Sequence, residues 1–387
     1  MSEPRIYLDN NATTQILPCV AAALSEAWNR SFANPGSQHD FGRDARKLMD
    51  SSRDVVAETL NCEPDEVIFT SGGTESINTA IHGLPAGQRG VIALTAGEHP
   101  ATTAACRQVA LSGMKLVTIP VDQEGLLTTD SLDSLPWADL KLVAVILAHN
   151  ETGVVQDLTR LSQLCEKHQV PLFVDAVQAV GKINVDFRAL GATALAFGGH
   201  KFHAPRGIGG LLLRRGARLK PLLEGGHQEV GRRAGTEPVP LIAGMAASLN
   251  HFREYPDERI DKVRTLRDDL QRRLEANSPS VIVHGSQIRR LPNTLSVAFP
   301  GLEGEAMLIN FDLAGIACSL GSTCSSGSAD PAPALLAMGI PPDLCMSSVR
   351  FSISCLNTAQ EIELAAQRIC SIAARMSSTS DGPAFRH

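Results

Sequence analysis

At 387 residues the chain exceeds the size at which one hydrophobic core stops growing, so two lobes are expected. Its 43% hydrophobic and 20% charged residues are ordinary for a globular protein and exclude a fibrous or low-complexity chain. The formal net charge of -6 lacks the basic excess of a phosphate-backbone binder, so no nucleic-acid partner is expected.

Residues 1–8 carry charged side chains and a proline where a signal peptide needs an apolar stretch. Apolar runs such as 142–148 are too short to span a bilayer, so a cytoplasmic location without membrane contact is expected. The 9 cysteines are odd in number and form no C-x-x-C pair, which argues against a disulfide framework and against a metal site.

In chain order, short β-rich runs alternate with helical patterns as far as residue 213, the signature of an α/β fold with a mostly parallel sheet. Strands are expected at 67–69, 91–94, 116–119, 142–147, 172–174, 194–197 and 208–213, and helices at 40–60, 100–112 and 158–168. After about residue 256 the character changes to α+β. A charged helix at 258–276 leads to strands at 281–283 and 294–298, then to helices at 305–314 and 359–377, with a tail from Ser377 that is expected to fray.

Ligands collect at the carboxyl ends of parallel strands, so residues just after each strand are candidates for chemistry. After 67–69 come Thr70-Ser71-Gly72-Gly73-Thr74-Glu75-Ser76, a small-residue turn opening a helix, where bare N–H groups and the Thr74 hydroxyl can hold an anion. A plain helix cap reads equally well there. The strand 172–174 ends in Asp175, with Gln178 beyond it; a buried carboxylate there needs a cation, unless it merely caps a following helix. The strand 194–197 leads to Gly198-Gly199-His200-Lys201, which sets a lysine for Schiff-base formation, although a lone lysine is more often a solvated surface group. No P-loop is formed, because Phe202 follows the lysine. His99 and Asn150 each follow a predicted strand, and an imidazole can both stack on a ring and move protons near neutral pH.

This order of motifs resembles the cysteine desulfurases of the nitrogenase and iron-sulfur-cluster type, within the class V, fold type I pyridoxal phosphate enzymes. The likeness runs nearly end to end, through Tyr7-Leu8-Asp9-Asn10-Asn11-Ala12-Thr13-Thr14, Asn150-Glu151-Thr152-Gly153, Asp175-Ala176-Val177-Gln178, Gly199-His200-Lys201 and Val349-Arg350-Phe351-Ser352. It implies an aminotransferase-like α/β fold, with a seven-stranded, pyridoxal-phosphate-binding large domain at 14–256. A smaller domain, 1–13 with 257–387, would carry a nucleophile loop at about 318–330.

The resemblance also implies roles. Lys201 is the Schiff-base lysine, Asp175 the partner of the pyridine nitrogen, and His99 the stacking, proton-moving imidazole. Asn150 and Gln178 contact the phenolic side of the ring, while Gly73, Thr74 and His200 hold the phosphate. Thr236 reaches the cofactor of a neighbouring subunit, which implies a homodimer. Arg350, Asn150, Asn10, Ala12 and Thr13 are assigned to the substrate, L-cysteine.

Two positions depart from the family. Gly198 stands where relatives carry Ser or Cys, which removes one phosphate contact, and Cys355 stands where many relatives carry arginine. The segment Ser319-Leu320-Gly321-Ser322-Thr323-Cys324-Ser325-Ser326-Gly327-Ser328 has the composition of an exposed loop, and a cysteine in such a loop is by itself incidental. The resemblance places the nucleophile at Cys324, in the long-loop group that passes sulfur to an acceptor protein such as an iron-sulfur scaffold, and not at Cys318. The activity implied is conversion of L-cysteine to L-alanine with a persulfide on Cys324. A selenocysteine lyase or other aminotransferase-like enzyme, and a non-catalytic sulfur-relay scaffold, are the competing readings.

Overall fold

The structure, a computed structural model, describes residues 4–254, 256–278, 280–320 and 331–380. The strands among the described residues are β1 (Ile6–Tyr7), β2 (Val67–Thr70), β3 (Val91–Thr95), β4 (Lys115–Ile119), β5 (Leu140–Ile146), β6 (Leu172–Asp175), β7 (Ala194–Gly198), β8 (Gly209–Leu213), β9 (Ile282–Val283), β10 (Thr294–Ala298), β11 (Ile316–Ala317), β12 (Ser319–Leu320) and β13 (Ser348–Ser352). The helices in the first part are α1 (Pro18–Arg30), α2 (Asp40–Leu60), α3 (Gly73–Gly83), α4 (Pro100–Ala110), α5 (Thr129–Asp133), α6 (Thr159–His168) and α7 (Val239–Glu254). They are followed by α8 (Pro256–Asn277), α9 (Gly304–Leu313), α10 (Pro333–Ala337), α11 (Pro342–Met346) and α12 (Ala359–Ser380).

The seven strands expected from the sequence form one sheet in the order β2-β8-β7-β6-β5-β3-β4. It is parallel except for β8, which runs antiparallel to both β2 and β7. Alternate residues of each strand enter opposite cores, as the two-residue side-chain period requires. Ala93, Val143, Val145, Val174, Leu195 and Phe197 pack with Met49, Val56 and Leu60 of α2 and with Ile242, Met245 and Leu249 of α7. Ile92, Leu142, Ala144, Phe173 and Ala196 pack on the other face with Ile77, Ala80 and Ile81 of α3 and Cys106 of α4. Covering both faces explains why these strands read as nearly continuous apolar runs.

A separate core gathers Ile6 and Leu8 with Leu266, Leu270 and Leu274 of α8, Leu295 and Val297 of β10, Phe351 of β13, and Ile362 and Ile369 of α12. It surrounds the sheet β12-β13-β10-β9, while β1 pairs in parallel with β11. The first residues of the chain are thereby stitched to its last third.

Several elements were not expected from the sequence. Helix α7 buries residues all round, including Val239, Ile242, Met245, Leu249 and Phe252, so it shows no polar stripe to mark its period. Strands β1, β11 and β12 span two residues each and exist only through long-range pairing. Asp175 is followed by turns and not by a helix, so it is no helix cap. Helix α12 continues to Ser380, past the point where fraying was expected, and residues 381–387 lie outside the described residues.

One glycine is required by both backbone and space. Gly181 has φ +72°, and a Cβ there would lie 2.4 Å from Phe202 Cβ in the segment that carries Lys201. Gly181→Ala should lower unfolding free energy by about 3 kcal/mol in a denaturant titration; a loss below about 0.5 kcal/mol would contradict this packing.

Candidate active site

Five strand ends converge on one cavity lined by Asn11, Ala12, Gly73, Thr74, Ile77, His99, Ile146, Asn150, Asp175, Val177, Gln178, His200, Lys201 and Arg350. Counted with its open mouth it encloses about 900 Å³, within the range of small-molecule sites. Most of the residues singled out from the sequence meet here. Asn10, Thr13 and Thr236 do not line the cavity: Asn10 Nδ2 donates to Ser352 O (2.8 Å), Thr13 Oγ1 lies 3.3 Å from His200 Nδ1, and Thr236 is exposed. Cys324 lies outside the described residues.

Lys201 follows β7 at the end of a single 3-10 turn, and its Nζ donates to the carbonyl oxygens of Asn11 (2.7 Å) and Ala12 (2.9 Å). Burial and then the neighbouring Arg350 lower its pKa to about 8, against the opposing pull of Asp9 and Asp175. Asp175 is 2% exposed and is pushed up to about 6 by burial, although Val177 N–H donates to its Oδ1 (3.0 Å) and Lys201 favours its charge. Glu98, below it, accepts from Thr95 Oγ1 and Ile146 N–H and is pushed up to about 8, chiefly by burial. Near neutral pH Glu98 therefore keeps its proton and leaves Asp175 as the more readily ionised acid.

Helix α3 begins beside Asp175 and has no side-chain cap at its start, which leaves its first N–H groups free for an anion. Gly73 is needed for this approach, because a Cβ there would lie 2.7 Å from Val177 Cγ2. Gly198 has an ordinary φ of -134°, and a side chain starting there would emerge 3.3 Å from Gly73 N, at the same helix start.

His99 caps α4: its Nδ1 accepts from Ala101 N–H (3.1 Å), so in the neutral ring the proton sits on Nε2. Burial, with Lys201 and His149 nearby, lowers its pKa to about 4, which keeps it neutral in the physiological range. Arg350, at the centre of β13, is 7% exposed; its Nη2 pairs with Asp9 Oδ1 (2.9 Å) and its Nη1 donates to Asn150 O (3.0 Å). Its Nε has no partner among the described residues. Asp9 Oδ1 also accepts from Ser319 Oγ (2.8 Å) at the stem that precedes Cys324.

Three participants were not singled out from the sequence. Asn11 bridges the cavity, accepting from Lys201 and Gln178 at its carbonyl and from Lys182 and Asn293 at Oδ1. Lys182 is a buried amine bonded to Asn11 Oδ1 (2.8 Å) and Gln178 Oε1, and burial, then Lys201 and Arg350, hold it well below the usual lysine range. Asp9 holds Arg350. Lys182 stands four residues after Gln178, a spacing that signals contact only once the local fold is known.

Burial pushes Cys318 up to about 12, and does the same to Cys62, Cys106 and Cys165, so none of these is readily a thiolate. Among the described residues no group of three or more His, Cys, Asp or Glu is arranged to hold a metal, and no helix is long and apolar enough to cross a membrane.

In the cofactor-free protein, Lys201 should titrate near 8, so its unprotonated, nucleophilic fraction rises as pH passes through that value. Carbon-13 NMR of reductively methylated Lys201 against pH checks this; a midpoint at the ordinary 10.5 would contradict it.

The aminotransferase class-V family model matches residues 6–364. The cysteine desulfurase NifS of Azotobacter vinelandii is 39% identical over 378 residues, covering 97% of this chain and 94% of that protein. The cysteine desulfurase IscS of Dictyoglomus turgidum is 36% identical over 360 residues, covering 92% and 91%. Among solved structures, a NifS-like protein from Rickettsia africae superposes with a TM-score of 0.87 at 30% identity, covering 96% of this chain and 100% of that one. The chain belongs to the class-V aminotransferase family and, within it, to the NifS-like cysteine desulfurases.

Proposed function

We propose that this protein is a pyridoxal-phosphate-dependent cysteine desulfurase that converts L-cysteine to L-alanine and leaves the sulfur as a persulfide on Cys324. The observation that carries the reading is one cavity holding an amine with a lowered pKa, a buried acid and an uncapped helix start. These fit pyridoxal phosphate: Lys201 would bond its aldehyde, Asp175 would pair with its pyridine nitrogen, and the start of α3 with Gly73, Thr74 and His200 would hold its phosphate. Gln178 and Asn150 would face the phenolic oxygen, and His99 would lie against the ring.

When bound, the cofactor withdraws electrons from the substrate α-carbon. The protein's own groups do the rest. Arg350 binds the substrate carboxylate, with its unpartnered Nε available for the purpose. Lys201 Nζ, once unprotonated, removes the α-proton. The proton that His99 holds on Nε2 is exchanged with the substrate thiol. The Cys324 thiolate attacks the substrate sulfur; the new S–S bond forms as the C–S bond breaks, and alanine is left after protonation.

A homodimer accompanies this reading, supported by Thr236, which is exposed and does not line its own chain's cavity. The segment around it contains Glu229 and Val230 at φ 49° and 57°, a left-handed backbone that a β-branched residue adopts only under constraint. Arg53 supplies that constraint by pairing with Glu229 through two contacts of 2.8 and 2.9 Å. The division into domains 14–256 and 1–13 with 257–387 accords with the separate hydrophobic cores. A sulfur-acceptor protein completes the cycle.

Cys324→Ala tests the reading: alanine and sulfide release from L-cysteine should fall by at least about 100-fold, and release at the native rate would sink it. Arg350→Lys should lower kcat/KM for L-cysteine at least about tenfold, since a point charge cannot reproduce the guanidinium fork. Gly198→Ser should tighten pyridoxal phosphate about tenfold in a titration of cofactor-free protein; equal affinity would show that the missing hydroxyl is immaterial.

A further inference from the structure

Lys201 also lines a second recess, shared with Lys182, His203, Arg259 and Cys355, on the side of Asn10 and Asn293 and not of Asp175. Among the described residues, four cationic or ionisable nitrogen groups line it and no carboxylate does. Lys262 Nζ adds a further positive charge by donating to Cys355 O (2.7 Å).

The contacts of Cys355 are those of a nucleophile. His203 Nδ1 lies 2.7 Å from Gln15 O, which can only accept, so Nδ1 carries the ring proton and Nε2 keeps its lone pair. That lone pair faces Cys355 Sγ at 3.7 Å. Burial lowers the His203 pKa to about 4, so the ring is neutral and can hold the thiol proton only in passing, as a relay between attacking and departing sulfur. Arg259 Nη2 lies 3.6 Å from the same sulfur, and its guanidinium rests 5.6 Å from the centre of the Phe252 ring. Thiol, base and the carbonyl that orients the base thus follow one another in hydrogen-bond order.

An independent feature points to a ligand. Among the described residues Arg259 Nη1 is buried without a hydrogen-bond partner, and no acid lines the recess beside it. An anionic group entering the recess would satisfy it.

We propose that Cys355, with His203 as its base and Arg259 as its anion contact, is a thiol–disulfide exchange site for a low-molecular-weight disulfide that bears a carboxylate. His203 Nε2 takes the thiol proton and Cys355 Sγ attacks one sulfur of the disulfide. The ligand's S–S bond breaks as the mixed disulfide forms, and the departing thiolate recovers the proton from His203. One disulfide and one thiol enter, one of each leaves, and no outside oxidant is required.

The test exposes the cofactor-loaded protein to oxidised glutathione and follows adducts by peptide mass spectrometry. Cys355 should react at least about tenfold faster than Cys19, the exposed cysteine among the described residues, and a thiol reductant should reverse the adduct. Arg259→Gln should slow the reaction at Cys355 about tenfold more with oxidised glutathione than with the neutral bis(2-hydroxyethyl) disulfide, because the thiolate loses its cation in both cases and the carboxylate only in the first. His203→Asn, which tolerates the φ of 72° at this position, should slow both reactions. Reaction at Cys355 no faster than at Cys19, or equal slowing of both disulfides by Arg259→Gln, overturns the proposal. Should a variant lose its thermal transition, the Cys355 to Cys19 ratio in the native protein decides alone.

Discussion

The structure depends on the seating of one amine against two main-chain carbonyls, where Lys201 Nζ meets Asn11 O and Ala12 O. Those carbonyls are fixed because Asn11 uses all its polar groups. Its N–H donates to Ser352 Oγ (2.8 Å), and its Nδ2 donates to Asn150 O (3.1 Å) and Thr294 Oγ1 (2.9 Å). Its Oδ1 and O accept from Lys182, Asn293, Lys201 and Gln178. Ser352 and Thr294 belong to β13 and β10, while Lys201 and Gln178 follow strands of the large sheet. A residue from the start of the chain thus registers the two cores against each other at the point where chemistry is proposed. Such a network is strong when complete and costly when broken, because the surrounding dielectric is low.

Electrostatics follows from that seating. Lys201, Lys182 and Arg350 share a buried region with Asp9 and Asp175, so the cations repel one another and each pays for its burial. Both lysines lose affinity for protons as a result. Lysine 201 is thereby brought toward the unprotonated state that attack on a carbonyl requires, while His99 and His200, each lowered to about 4, stay neutral beside it. The arginine is held in place by Asp9, so the cavity sets one anchored guanidinium beside one adjustable amine.

Much of this was legible in the sequence. The seven apolar runs, the change of character near residue 256 and the order of groups at the strand ends follow from side-chain periods and from where parallel sheets place their ligands. What could not be read is phase and pairing. In the Asn10-Asn11 pair the first side chain turns to Ser352 O and the second to the cavity side, and nothing in the order of residues distinguishes them. The pairing of Ile6 with Ile316 and the grip of Asp9 on Arg350 join residues more than 300 positions apart. Lys182 carries no sequence signal because the segment after Asp175 forms turns, where a four-residue spacing has no meaning until the backbone is known. Helix α7 is silent for the opposite reason, since a helix buried on every side has no period in its sequence.

The central claim is that this cavity activates the sulfur of L-cysteine and that Cys324 receives it. Intact and peptide mass spectrometry after a single turnover with L-cysteine tests it most directly. The account predicts one added sulfur on Cys324 and a matching amount of alanine; alanine formed while Cys324 stays unmodified, or sulfur found on another cysteine first, would contradict it.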